Sequence, residues 1–120
     1  MPTMDPTITQ IASAFAGHDF DTALPHLADA VSWTLVGAQE ITGKDAVTAA
    51  CQATAAELSS TTTEFTSFRT VTDQRCVVID STAQYTDTEG RTSVVASCDI
   101  FDFTDGLITR IRSYTIDLTP

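Results

Sequence analysis

Residues 61–117 are rich in Thr, Val, Ile, Phe and Tyr, and the run is broken by turn-forming residues at Asp73-Gln74, Thr88-Glu89-Gly90 and Thr104-Asp105-Gly106. β-Branched and aromatic side chains fit a pleated, half-buried surface, and short Gly-containing breaks between such runs read as hairpin turns. The pattern predicts four strands, over residues 62–71, 75–86, 91–103 and 107–117, joined as a long antiparallel meander. A sheet of that length must be covered on at least one face. The first half of the chain supplies helices, so the expected class is α+β.

The helices are marked by their ends. Asp5-Pro6 is a start signal, because an Asp oxygen can cap an orphan amide and proline lacks the donor that a first turn leaves unused. Ile8, Ile11, Ala12 and Phe15 then share a face, and Gly17 ends the segment. A second helix starts near Asp19 and buries Phe20, Ala23, Leu24 and Leu27; Pro25 requires it to start late or to bend. A short strand over residues 31–36 carries Trp33. Residues 37–43 read as a turn-rich connection. Thr42 to Asp45 forms an approximate capping box for a third helix, whose narrow face is Val47, Ala50, Cys51, Thr54 and Leu58.

Composition then excludes function classes. At 120 residues and 42% hydrophobic, the chain is expected to form one domain, residues 1–120, with a real core. Sixteen acidic against six basic residues give a net charge of −10, which leaves no basic footprint for nucleic acid and disfavours an anionic membrane. The amino terminus shows no basic-then-apolar leader, so a soluble, cytoplasmic protein is expected. Cys51, Cys76 and Cys98 are odd in number and widely spaced, as buried reduced thiols would be. His18 and His26 have no partner at metal-ligand spacing, and no glycine loop suits a phosphate, so no metal or cofactor is indicated.

Turn arithmetic places side chains. A three-residue loop at 88–90 sets Ile79 opposite Asp99, Ser81 opposite Ser97 and Tyr85 opposite Ser93. A three-residue loop at 104–106 sets Asp99 opposite Ile111 and Ser97 opposite Ser113. A two-residue turn at Asp105-Gly106 instead sets Asp99 opposite Arg112, an ordinary cross-strand ion pair. Under the first register one carboxyl sits among Ile79, Phe101 and Ile111, where burial raises its pKa. Asp99 is then the candidate acid/base residue, the other readings being a structural carboxylate or a surface ion pair. Trp33 offers a flat apolar wall, Tyr85 a phenol, and Ser81, Ser97 and Ser113 a polar row beside Asp99. Both sheet faces are apolar, so the face without helices is expected to pack on a second copy, giving a homodimer.

The runs AFAGHDFDTALPHLADAVSWTLVG, ITGKDAV and SVVASCDIFDFTDGLITRIRSY resemble the nuclear transport factor two-like superfamily, in particular its SnoaL-like branch. The resemblance spans residues 7–118. It implies a cone-shaped, cystatin-like α+β barrel, with three N-terminal helices packed in a strongly curved antiparallel sheet and a pocket open at one end. Ketosteroid isomerase places an aspartic acid and an aromatic two positions later on the strand before the last hairpin, matched here by Asp99 and Phe101. The isomerase's general-base aspartate aligns with Thr34 or with its neighbours Trp33 and Leu35, and its oxyanion-hole tyrosine aligns near Gln10. The epoxide-hydrolase branch has Arg where this chain has Ser97. A SnoaL-like cyclase needs one aspartate acting on an acidic carbon, which Asp99 supplies. The resemblance therefore implies a cofactor-free isomerase, cyclase or lyase acting on a small apolar carbonyl compound. Asp99 is the expected catalytic residue, and Trp33, Thr34, Ser81, Tyr85, Ser97, Phe101, Ile111 and Ser113 are expected to contact the ligand. The alternatives are a noncatalytic binding protein for a small apolar ligand and a dimeric interaction domain.

Overall fold

The structure, a computed structural model, describes residues 6–120. Helix α1 (Ile8–Ala16) begins at a capping box: Gln10 N–H donates to Thr7 Oγ1 at 3.1 Å, and Thr7 N–H donates to Gln10 Oε1 at 2.8 Å. The expected cap at Asp5 lies outside the described residues. The helix ends at Gly17, but the left-handed residue that closes it is His18, at φ +69°. Asp19 N–H reaches back to Ala14 O and His18 N–H to Phe15 O, a Schellman closure with histidine where glycine is usual.

The second helix, α2 (Phe20–Ala23), is one turn long, and Pro25 falls in a 3₁₀ turn, Leu24–His26, where its missing N–H does no harm. Strand β1 (Leu27–Leu35) follows at once, longer than its sequence suggests. The turn-rich connection contains a further strand, β2 (Gln39–Thr42), pairing antiparallel with β1. Helix α3 (Lys44–Leu58) is capped by Gly43 with no side-chain bond, so the Thr42–Asp45 capping box does not form.

The meander is present as β3 (Thr62–Thr72), β4 (Cys76–Thr86), β5 (Thr92–Thr104) and β6 (Leu107–Asp117). The sheet as a whole departs from the expected cone-shaped, strongly curved antiparallel barrel. It is an open six-stranded sheet in the order β2-β1-β6-β5-β4-β3, and it is mixed, because β1 runs parallel to β6. Closure into a barrel needs the terminal strands to pair. Here they stand at opposite ends of the order, and β2 has only four residues.

The β4–β5 register is as the loop arithmetic predicts, with Ile79 opposite Asp99, Ser81 opposite Ser97 and Tyr85 opposite Ser93. The β5–β6 register matches neither expectation. Asp105 and Gly106, at φ +52° and +78°, make a two-residue turn that pairs Thr104 with Leu107. Thr109 then bulges, its hydroxyl donating to Asp102 O at 3.2 Å, and the ladder resumes with Asp102 opposite Arg110. That extra residue sets Asp99 opposite Ser113, neither Ile111 nor Arg112. Arg112 lies opposite Ile100 and hydrogen-bonds the Tyr114 hydroxyl, so the Asp99–Arg112 ion pair does not form.

Helices α1 and α3 pack on one face of the sheet. Ile11, Phe15, Val47 and Cys51 meet Val77, Ile79, Phe101, Ile108 and Ile111 in one buried cluster. No described helix is long and apolar enough to cross a membrane.

Candidate functional site

A hollow of about 500 Å³ opens between the sheet and the helices, with walls that are mostly apolar. Phe15 organises one side of it. Its ring meets Phe20, Trp33 and Phe101 edge-on, with centroids 5.4, 5.2 and 5.5 Å away. Such T-shaped contacts fix ring orientation beyond what area burial alone does. Trp33 is thereby held with its indole edge toward β6.

A directed chain of hydrogen bonds runs from that edge. Trp33 Nε1–H donates to Ser113 Oγ at 2.9 Å, and Ser113 O–H donates to Asp99 Oδ1 at 2.5 Å. The indole has no other donor, and Ser113 is buried, so the serine hydrogen has one direction to point. Burial raises the Asp99 carboxyl above its ordinary 3.8, and the Ser113 hydrogen bond pulls it partly back. Asp99 Oδ2 has no hydrogen-bond partner among the described residues. The carboxyl therefore presents one oxygen to the hollow and anchors the other.

Tyr85 stands across the same space on β4. Burial, then the charge of Asp99, pushes its phenol above 10. Its hydroxyl lies 2.9 Å from His18 Nε2, and burial lowers the His18 pKa below 6.5, which favours a neutral ring. Among the described residues no group of three His, Cys, Asp or Glu side chains is arranged to hold a metal ion.

Of the residues singled out in the sequence, Asp99, Trp33, Ser81, Tyr85, Ser97 and Ser113 line the hollow. Three do not. Thr34 alternates to the opposite face of β1 from Trp33 and Leu35, and Phe101 and Ile111 are fully buried in the core. Sequence reading passed over His18, Phe65 and Thr115, which also face it, and Gln39 and Ile41 from the unforeseen strand β2. Thr115 follows from the bulge, since it shares a face with Ser113. His18 reads in the sequence as part of the turn between the first two helices, which it is, and only the packing there brings its ring to the hollow.

The SnoaL-like domain family model matches residues 8–111. The chain belongs to the SnoaL-like domain family. With it the chain falls within the nuclear transport factor two-like superfamily, some members of which carry out cyclase- and isomerase-type reactions. Among solved structures, this SnoaL-like chain is similar to an NTF2-like protein of unknown function from Cytophaga hutchinsonii. The two are 28% identical, over 90% of this chain and 95% of that one, with a TM-score of 0.80. A protein from Xanthomonas campestris pv. campestris, provisionally designated a polyketide cyclase, is 22% identical over 89% of this chain and 88% of its own, with a TM-score of 0.70. An LEH-like epoxide hydrolase from M. tuberculosis is 22% identical over 86% of this chain and 74% of its own, with a TM-score of 0.63. The last two establish shared fold alone. No curated protein matches the sequence.

Proposed function

We propose that this SnoaL-like protein is a cofactor-free isomerase, cyclase or related lyase that acts on a small apolar carbonyl compound, with Asp99 as its catalytic residue. The observation that carries the reading is a carboxyl held by one oxygen against Ser113, its pKa raised by burial, at the edge of an apolar hollow. In its protonated form Asp99 donates a hydrogen bond to a carbonyl oxygen, which gathers negative charge as a neighbouring, already acidic carbon gives its proton to solvent water. In its ionised form it takes that proton itself, and a raised pKa makes it a stronger base than a solvated aspartate. Either step moves a proton next to a carbonyl and needs no electron carrier. Trp33 supplies a flat wall, and Ser81 and Ser97 supply hydroxyls at the Asp99 end.

A screen of small apolar ketones and β-dicarbonyl compounds for turnover, followed by kinetics of Asp99→Asn, tests this. Turnover is expected to disappear in the variant while folding is retained. Unchanged kcat in Asp99→Asn removes the residue from the chemistry.

The same chain is proposed to dimerise through the uncovered face of the sheet. Val78, Cys98, Ile100, Tyr114 and Ile116 lie on that face, Ile116 being 63% exposed and Tyr114 38%. These apolar side chains, with Arg112 opposite Ile100 and Asp80 opposite Cys98 set among them, form the surface proposed to meet the partner. Sedimentation at micromolar concentration is expected to give a dimer that Ile116→Asp weakens, and a persistent wild-type monomer rejects it. Three free cysteines suit a reducing compartment such as the cytoplasm.

A further inference from the structure

His18 is half-buried, and its Nδ1 is the one buried side-chain nitrogen or oxygen among the described residues with no hydrogen-bond partner. Its Nε2 lies 2.9 Å from the Tyr85 hydroxyl, and its backbone occupies the left-handed region at φ +69°, which a histidine adopts uncommonly. The ring is also packed by Phe20, Phe65 and Tyr85, with centroids 5.9, 5.7 and 6.0 Å away, so it has little freedom to turn.

A neutral imidazole carries one N–H, and the two tautomers have opposite consequences. If the hydrogen sits on Nδ1, a buried donor is stranded and Tyr85 spends its own hydrogen on Nε2. If it sits on Nε2, that N–H donates to the Tyr85 oxygen, only a lone pair on Nδ1 is idle, and the phenolic hydrogen is released toward the hollow. Stranded buried N–H groups are rarer in folded proteins than under-used acceptors. The second arrangement is therefore favoured.

We propose that His18 is a positioning residue, whose Nε2–H holds the Tyr85 oxygen so that the Tyr85 hydroxyl donates to an acceptor oxygen, such as a carbonyl, on the ligand. This rests on the reading of the hollow as a ligand site, but it concerns the pole marked by Tyr85 and not the reaction at Asp99. A ligand offering a hydroxyl donor at that pole meets another donor and is disfavoured. Asp99 and Tyr85 line the same hollow, so both groups address one bound molecule. The other ionisable neighbour is Asp19, which is exposed and engages Thr22 Oγ1 at 2.7 Å.

The tautomer is read without any ligand from the side-chain ¹⁵N resonances, since the chain has only two histidines. His18→Asn, which tolerates left-handed backbone, assigns them. A protonated Nε2 and an unprotonated Nδ1 are expected at neutral pH; a protonated Nδ1 overturns the proposal. The consequence is read with fluorenone and fluorene, tricycles that differ by one carbonyl, as the ratio of their affinities. Tyr85→Phe is expected to lower the preference for fluorenone about five- to tenfold, and His18→Asn about two- to fivefold. A merely structural role would weaken both tricycles alike and leave the ratio unmoved, which overturns the proposal. So does failure of both tricycles to bind. A ratio that responds to Tyr85→Phe while Asp99→Asn turns over substrate normally leaves this inference standing and removes the Asp99 reading. A ratio that responds only to Asp99→Asn does the reverse.

Discussion

Replacing Ser113 by alanine cuts the hydrogen-bond chain at its middle. The hydroxyl accepts from Trp33 and donates to Asp99, so its loss strands an indole N–H and deprives Asp99 Oδ1 of its donor. Leaving one buried polar group unsatisfied costs about 1–3 kcal/mol, and water entering from the open side of the hollow recovers part of it. A net loss of about 1–2 kcal/mol lowers Tm by roughly 4–8 °C for a chain of this size. The pH dependence is more diagnostic than the magnitude. The folded pKa of Asp99 is raised, so its contribution is complete below the ordinary 3.8 and is lost as pH rises through the folded value. Ser113 favours the charged form, and its removal raises that folded value further. The Tm gap between wild type and Ser113→Ala is thus expected to widen from pH 4 to pH 8. In an Asp99→Asn background the widening is expected to vanish. A gap that stays constant or narrows would falsify the directed chain from Trp33 to Asp99.

Three further outcomes follow from the same geometry. Asp99→Asn keeps an oxygen to accept from Ser113 but cannot ionise, so relative to wild type its stability is expected to improve steadily as pH rises above 4, measured by denaturant unfolding; a flat difference refutes a raised folded pKa. Gly106→Ala meets no atom within 4 Å but must hold φ +78°, and a loss of about 1–2 kcal/mol is expected on thermal melting; no loss means that the two-residue turn relaxes. Burial pushes the Cys51 thiol up to about 12, so at pH 8 a thiol reagent is expected to label the partly exposed Cys76 and Cys98 of the native chain well before Cys51; simultaneous labelling of all three contradicts that burial.

The meander was readable because its breaks carry their own geometry: Thr88-Glu89-Gly90 closes as a three-residue loop and fixes the β4–β5 register at Asp99 and Tyr85. The next hairpin was not, because a two-residue turn followed by a bulge gives a count that no turn rule contains. Thr109 is ordinary in sequence, and its bulge is stabilised only through Asp102 on the neighbouring strand. Strand β2 was missed because Gln39–Thr42 is too short to alternate, and it becomes a strand by lying against β1. The open, mixed sheet was equally hidden, since local patterns say nothing of which distant strands become edges. Among the site residues, Asp99, Ser97 and Ser81 followed from strand parity. Thr34 fails because a one-residue error of alignment turns a side chain to the other face, and His18 was legible as a turn residue but not as a wall of the hollow, because the place of its ring comes from tertiary packing.

The hairpin tip and its Thr109 bulge act as a matched pair. Deleting Thr109 would straighten β6 yet leave Asp99 facing Ser113, because every residue from Arg110 onward keeps its neighbour. Inserting one residue between Arg110 and Arg112 would instead turn Arg112 inward and Ser113 outward, bringing a guanidinium to the carboxyl and converting an oily chamber into a charged one. Variation in length is therefore harmless on one side of Arg110 and ruinous on the other.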